Sequence, residues 1–152
     1  MTESSTFEVN TVLVPVDGSE ESTQAVEYAV AIAEKYGADV HALYVLGEQV
    51  VTGIESGVVD EAEVLDETDS FFQGISEVAA NRGVELSTST VYGFSTMRKT
   101  QHPGSVILDT AEDIDADFIV VPREPLSGDS SEILEKAAEY VLLYASQPVL
   151  SV

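Results

Sequence analysis

The sequence predicts a doubly wound α/β domain, a single parallel sheet of five strands with helices on both faces. Three observations lead there. Short apolar runs bounded by turn residues alternate along the chain with longer amphipathic stretches of helical period. Two of the runs, Val12–Val16 and Phe118–Val121, are apolar without polar alternation, which marks strands covered on both faces. Strands joined through helical segments return parallel by right-handed crossovers, which places helices on both sides of the sheet.

The elements follow in order. Within Thr11–Glu20, Val12-Leu13-Val14 and Val16 form the first strand, and Pro15, which lacks an N–H, belongs near its end. Asp17-Gly18-Ser19 breaks the strand. Ser19 caps a helix whose first turn holds Glu20 and Glu21, where the helix dipole favours carboxylates. That helix, Glu20–Tyr36, carries Ala25, Val26, Ala29, Val30, Ala33 and Tyr36 as one apolar stripe, and Gly37 stops it. Asp39–Leu46 is the second strand. Gly47–Gly57 has three glycines and no clear period and reads as a loop. Val58–Arg82 reads as a long helix with Val58, Ala62, Leu65, Phe72, Ile75 and Ala79 inward and an acidic outer face; Gly83 ends it. Val84–Tyr92 alternates as an edge strand does. Gly93–Gly104 is a loop, Ser105–Ile114 a short helix carrying Ile107, Leu108, Ala111 and Ile114, Asp117–Val121 a buried strand, and Pro122–Ser130 a loop. Asp129–Ser146 is the last helix, with Ile133, Leu134, Ala137, Ala138, Val141, Leu142 and Ala145 inward. Pro148–Val152 is a short closing strand. Residues 1–10 read as a frayed tail and 11–152 as one domain.

Charge narrows the setting. The chain has 28 acidic residues against 6 basic ones, a net charge of −22, and its lysines are Lys35, Lys99 and Lys136 alone. Such a surface repels itself at low salt, and the repulsion is tolerable when the Debye length falls to about 3 Å at 1 M salt. The expectation is a cytoplasmic protein of a salt-accumulating halophile. The same surface argues against nucleic acid and anionic membrane as partners. The absence of cysteine excludes disulfide and thiol chemistry. Met1–Asn10 lacks the charge and apolar core of a secretory signal. No apolar run approaches the roughly 18 residues that span a bilayer.

From Thr11 onward the order of elements resembles the universal stress protein family. The resemblance rests on Val12–Glu20 as opening strand and acidic turn, on Ala116–Val121 as fourth strand, and on Ala138–Val152 as last helix and closing strand. It implies strand order 3-2-1-4-5, with a switch point at Asp17 and Val121, and a non-enzymatic stress-response or regulatory role. It also implies a homodimer through the fifth strand, with Val149, Leu150 and Val152 at the interface. Many members of that family bind ATP through Gly, two residues, Gly, nine residues, then Gly and Ser or Thr, where backbone N–H groups meet phosphate at a helix N-terminus. The matching positions here are Pro122, Pro125, Glu135 and Lys136. Proline brings no N–H donor, and Glu135 sets a negative charge where phosphate would lie. ATP is therefore not expected as a cofactor. Only Asp17 carries over, matching the acid at the base and ribose end of the nucleotide.

Asp17 has two readings: it orients a nucleoside or other small ligand, or it bonds the N–H groups of its own turn. Asp129 and Glu132 form an Asp-x-x-Glu box at the start of the last helix. Ser127, Gly128, Ser130 and Ser131 offer a displaced phosphate nest beside it, opposed by those two carboxylates. Arg98, Lys99 and His102 lie in the loop after the third strand, and Arg123 follows the fourth. They form either a site for a small anionic ligand or pairs with local acids such as Glu124. His41, in the second strand, reads as structural, and two histidines without cysteine make neither a Ser-His-Asp nor a zinc set. The alternative function is a small-molecule or nucleotide sensor with a rebuilt pocket at the strand carboxyl ends.

Overall fold

The apolar run at the start of the chain is β1 (Thr11–Val16), the central strand of the sheet, in a computed structural model that describes residues 7–92, 103–122 and 132–152. There follow α1 (Glu20–Tyr36), β2 (Asp39–Leu46), α2 (Glu48–Ser56), α3 (Glu61–Asn81), β3 (Leu86–Tyr92), α4 (Pro103–Asp113), β4 (Phe118–Val121), α5 (Glu132–Tyr144) and β5 (Val149–Ser151). The strands pair in parallel in the order β3-β2-β1-β4-β5. This is the doubly wound class that the alternation predicts, with the order that the resemblance implies. Pro15 sits opposite Leu43 of β2, while β4 meets β1 only at Val12 and Leu13. The proline thus falls beyond the ladder to β4, near the strand end where a missing donor is tolerated.

Side chains alternate across the sheet and build two cores. Val12, Val14 and Val16 of β1, with Val40 and Ala42 of β2, meet α1 and α3 at Ala25, Val26, Ala29, Val30, Ala33, Ile75 and Ala79. On the other face Leu13, Leu43, Val45, Ile119 and Val121 meet Ile107 and Ala111 of α4 and Ala137, Ala138 and Val141 of α5. The small residues along α1 let the helix lie close on the sheet, and their burial drives the packing. Ser19 caps α1 by accepting the Ser22 N–H, and Gly37 closes it by donating to Ala33 O.

Several elements differ from the sequence expectation. The stretch 47–57, expected as a loop, is helix α2 with its two caps. Gly47 is the N-cap and Gly57 the left-handed C-cap, donating to the carbonyls of Gly53 and Ile54. Gly53 lies inside because Val59 packs where a side chain would be, and Val51 is buried. Helix α3 begins only at Glu61, after Asp60, whose carboxylate accepts the Ala62 N–H at 3.0 Å. Val58 and Leu65 are therefore exposed, as is Ala62, and none joins the core. The inward stripe is Thr68, Ile75 and Ala79, flanked by partly buried Phe71, Phe72 and Val78. Tyr36 and Leu142, expected inward, are exposed, because each falls off the buried arc of its helix. Strand β3 starts at Leu86, not Val84, and its Thr88 and Thr90 are exposed as on an edge. The expected tail is anchored from Val9, which is buried. The N–H groups of Asn10 and Thr11 both donate to Asp117 Oδ2, at 2.8 and 3.1 Å. The side chains of Ile133 and Leu134 lie outside the described residues.

Candidate ligand site at the carboxyl end of β1

The turn that leaves β1 is built from three residues. Gly18 has φ +86°, in the left-handed region that glycine enters without strain. It also faces Tyr44 so closely that a Cβ would stand 2.6 Å from the phenol oxygen. Asp17 Oδ1 accepts the Ser19 N–H at 3.0 Å, a bond of the Asx type. The Ser19 hydroxyl accepts the Ser22 N–H at 3.1 Å, and the Ser22 hydroxyl donates to Ser19 O at 2.9 Å.

Tyr44 closes the turn from β2. It stands in register with Val16, and its hydroxyl donates to the Asp17 carbonyl oxygen at 3.1 Å. Phe71 and Phe72 of α3 meet its ring edge-on, each with centroids 5.8 Å away. Burial, then the carboxylates of Asp17 and Glu67, push the phenol above its ordinary range, so it stays a neutral donor at neutral pH. Composition and spacing did not single out Tyr44. The available signal was a large aromatic in β2 on the face shared with Val40 and Ala42.

The second carboxylate oxygen, Asp17 Oδ2, is buried and has no hydrogen-bond partner among the described residues. A buried acceptor without a donor is costly, and an incoming N–H or O–H would satisfy it. One oxygen of Asp17 therefore bonds its own turn, as the structural reading holds, and the other has no donor among the described residues. It lies at the switch point, where β1 and β4 part and Val121 and Pro122 are buried at the end of β4. Open α/β sheets take ligands at this position.

Of the other candidate residues, Arg98, Lys99, His102, Arg123, Ser127, Gly128, Ser130 and Ser131 lie outside the described residues, as does Asp129 of the capping box. Glu135 falls in the first turn of α5. His41 is remote from the turn: its Nδ1 and Nε2 lie 2.7 Å from the hydroxyls of Ser87 and Ser89, tying β2 to β3, and burial lowers its pKa. Val149, Leu150 and Val152 are partly buried at the β5 edge, Leu150 and Val152 on the α1 side and Val149 on the other. Among the described residues no three His, Cys, Asp or Glu side chains converge on a metal position, and no helix is long and apolar enough to cross a membrane.

The sequence model of the universal stress protein family matches residues 8–152. The chain belongs to the universal stress protein family. A universal stress protein of Methanocaldococcus jannaschii is 29% identical to it over 144 residues, spanning 93% of this chain and 80% of the relative. A solved universal stress protein in complex with cAMP matches at a TM-score of 0.64 and 20% identity, over 95% of this chain and 97% of that one. The universal stress protein from Archaeoglobus fulgidus in complex with dAMP matches at 0.63 and 18% identity, over 96% and 98%. At such identities the solved members speak for the fold alone.

Proposed function

We propose that this universal stress protein is a non-enzymatic stress-response regulator that takes a small ligand at the carboxyl end of β1 without the triphosphate cradle of its family. The observation that carries the reading is Asp17 Oδ2, buried and without a hydrogen-bond partner among the described residues. An ionised carboxylate only accepts hydrogen bonds, so it suits a base edge or ribose hydroxyl and repels a bare phosphate. The solved relatives in complex with cAMP and dAMP make adenine nucleosides and monophosphates the first class to try. Pro122, Pro125 and Glu135, standing where the glycines of the ATP motif would be, argue against ATP binding in the family manner. Arg98, Lys99 and Arg123, with Ser127, Gly128, Ser130 and Ser131, are the groups that would meet an anionic end of the ligand. Ser19 is engaged as a helix cap and Tyr44 is held as a neutral donor, so neither supplies the activated nucleophile or base of an enzyme. The net charge of −22 favours a cytoplasm rich in salt as the setting.

The quaternary reading is a homodimer through β5. That strand pairs with β4 on one side, and Leu142, Leu143 and Tyr144 just before it are exposed large apolar residues. An apolar strand edge beside an apolar patch suits pairing about a two-fold axis.

Calorimetry in molar salt tests the ligand reading with adenosine, cAMP and ATP–magnesium as probes. The expected outcome is that adenosine or cAMP binds, that Asp17→Asn weakens it, and that ATP–magnesium binds no tighter than cAMP. A wild-type protein blind to adenosine and cAMP overturns the ligand reading. Micromolar ATP binding much tighter than cAMP overturns the missing cradle.

A further inference from the structure

We infer that Tyr44 is the positioning residue of this ligand site: its phenol clamps the Asp17–Ser19 turn from the α3 side and fixes where the second carboxylate oxygen of Asp17, Oδ2, points. The inference rests on the ligand reading above and goes past it, because Tyr44 acts through Asp17 rather than on the ligand.

Two kinds of contact meet on one phenol. Its O–H holds the Asp17 carbonyl at 3.1 Å across 27 residues of sequence, which fixes the peptide plane that follows the aspartate. Its oxygen also fills the space beside Gly18, so the left-handed glycine is held against a wall. The Asx bond from Ser19 orients one carboxylate oxygen relative to the turn. It does not orient the turn relative to the sheet. Tyr44 does, because strand pairing sets it in register with Val16, one residue before the aspartate.

The clamp itself is rigid. Phe71 and Phe72 hold the ring edge-on from α3, and Thr68, on the same helix, is buried at 3% exposure with its hydroxyl bonded to Val64 O at 2.8 Å. An aromatic ring has few torsions to freeze, and recognition geometry must hold to about 0.5 Å. The burial and nearby carboxylates that raise the phenol pKa keep its proton in place at every physiological pH.

Tyr44→Phe removes the O–H and leaves the ring packing, so it separates positioning from folding. In molar salt we expect adenosine or cAMP affinity to fall about tenfold, the equivalent of one hydrogen bond. We also expect the Gly18 and Ser19 amide resonances to move in ¹H–¹⁵N spectra while those of Arg82 and Val152 stay. Unchanged affinity overturns the inference. So does weakened affinity with an unmoved Ser19 amide, which would place Tyr44 in contact with the ligand instead. Should wild type bind neither probe, the ligand reading fails by itself, and the Ser19 amide alone decides the clamp. Should Tyr44→Phe fail to fold, Phe71→Leu loosens the ring while keeping the phenol. The same Ser19 shift then supports the clamp, and an unmoved amide overturns it.

Discussion

Replacing Asp117 by alanine removes the clasp that joins the entry of β1 to the entry of β4. Its Oδ2 accepts the N–H groups of Asn10 at 2.8 Å and Thr11 at 3.1 Å, over 107 and 106 residues of sequence. The Asp117 N–H donates to Thr11 O at 2.9 Å, and that backbone bond survives the substitution. Hydrogen bonds to a charged acceptor contribute about 1.5–3 kcal/mol each. The Asn10 bond is exposed, so water replaces most of it, whereas the Thr11 bond is partly buried and its donor is left poorly served. The expected net loss is about 2 kcal/mol, or about 4–8 °C of melting midpoint for a chain of this size. Relief of one negative charge acts the other way, and molar salt suppresses that effect because the Debye length is then about 3 Å. Asp117→Asn keeps one carbonyl acceptor and should fall between wild type and alanine. Paired urea and thermal melts in molar salt read the difference. A loss below about 0.5 kcal/mol, within the range of an ordinary surface substitution, refutes the clasp.

Three further outcomes follow from the structure and the charge. Burial lowers the pKa of His41, so the unfolded chain binds the proton more readily; this contribution to stability is complete above about pH 6.5 and is lost as pH falls through the folded value. The stability gap between wild type and His41→Gln should therefore narrow from pH 8 to pH 5, and parallel curves would sink the assignment. With 28 acids against 6 bases, dialysis to about 10 mM salt, where the Debye length is about 30 Å, should unfold the chain by circular dichroism; undiminished stability there counts against the salt-adapted reading. The dimer through β5 predicts twice the monomer mass by light scattering in molar salt, with loss of the dimer or of folding on removal of Val149–Val152; a monomer for the intact chain at tens of micromolar shows that assignment to be wrong.

The parts of the fold legible in the sequence are those where burial is complete. Strand β2 has the bounds read for it and β1 adds only Thr11 to the run Val12–Val16, because the fully buried positions of both strands are apolar and mark them. Helix α1 was legible for a different reason: Ser19 and Gly37 mark its ends chemically. Helix α2 was not, because glycine has opposite meanings inside and at the ends of a helix. Gly47 and Gly57 are caps, and Gly53 makes room for Val59, a contact that spacing does not reveal. The start of α3 was misplaced because Val58 looks inward by period, although the cap at Asp60 already puts it outside the helix. At the site, Asp17 was legible from the family pattern and the turn chemistry. Its division of labour between two oxygens was not, since it depends on which donors lie near each. Tyr44 was illegible because its partner is the backbone carbonyl of Asp17 in the turn after β1, set by strand register rather than by spacing.

The strand order also has a consequence in time. β1 is made first, yet its neighbour β4 is made after β2 and β3. At 5–20 residues per second, the roughly 30 residues from the end of β3 to the end of β4 take about 1.5–6 s to synthesise. Through that interval the growing chain holds all of β1–β3 and α1–α3, with β1, the central strand of the finished sheet, as an open edge and Leu13, Leu43 and Val45 still lacking α5. An uncovered edge of that kind recruits other strands. The newborn half-domain is therefore the form most exposed to mispairing, and the segment that ends its exposure is the short run Phe118–Val121, with the Asp117 clasp immediately before it.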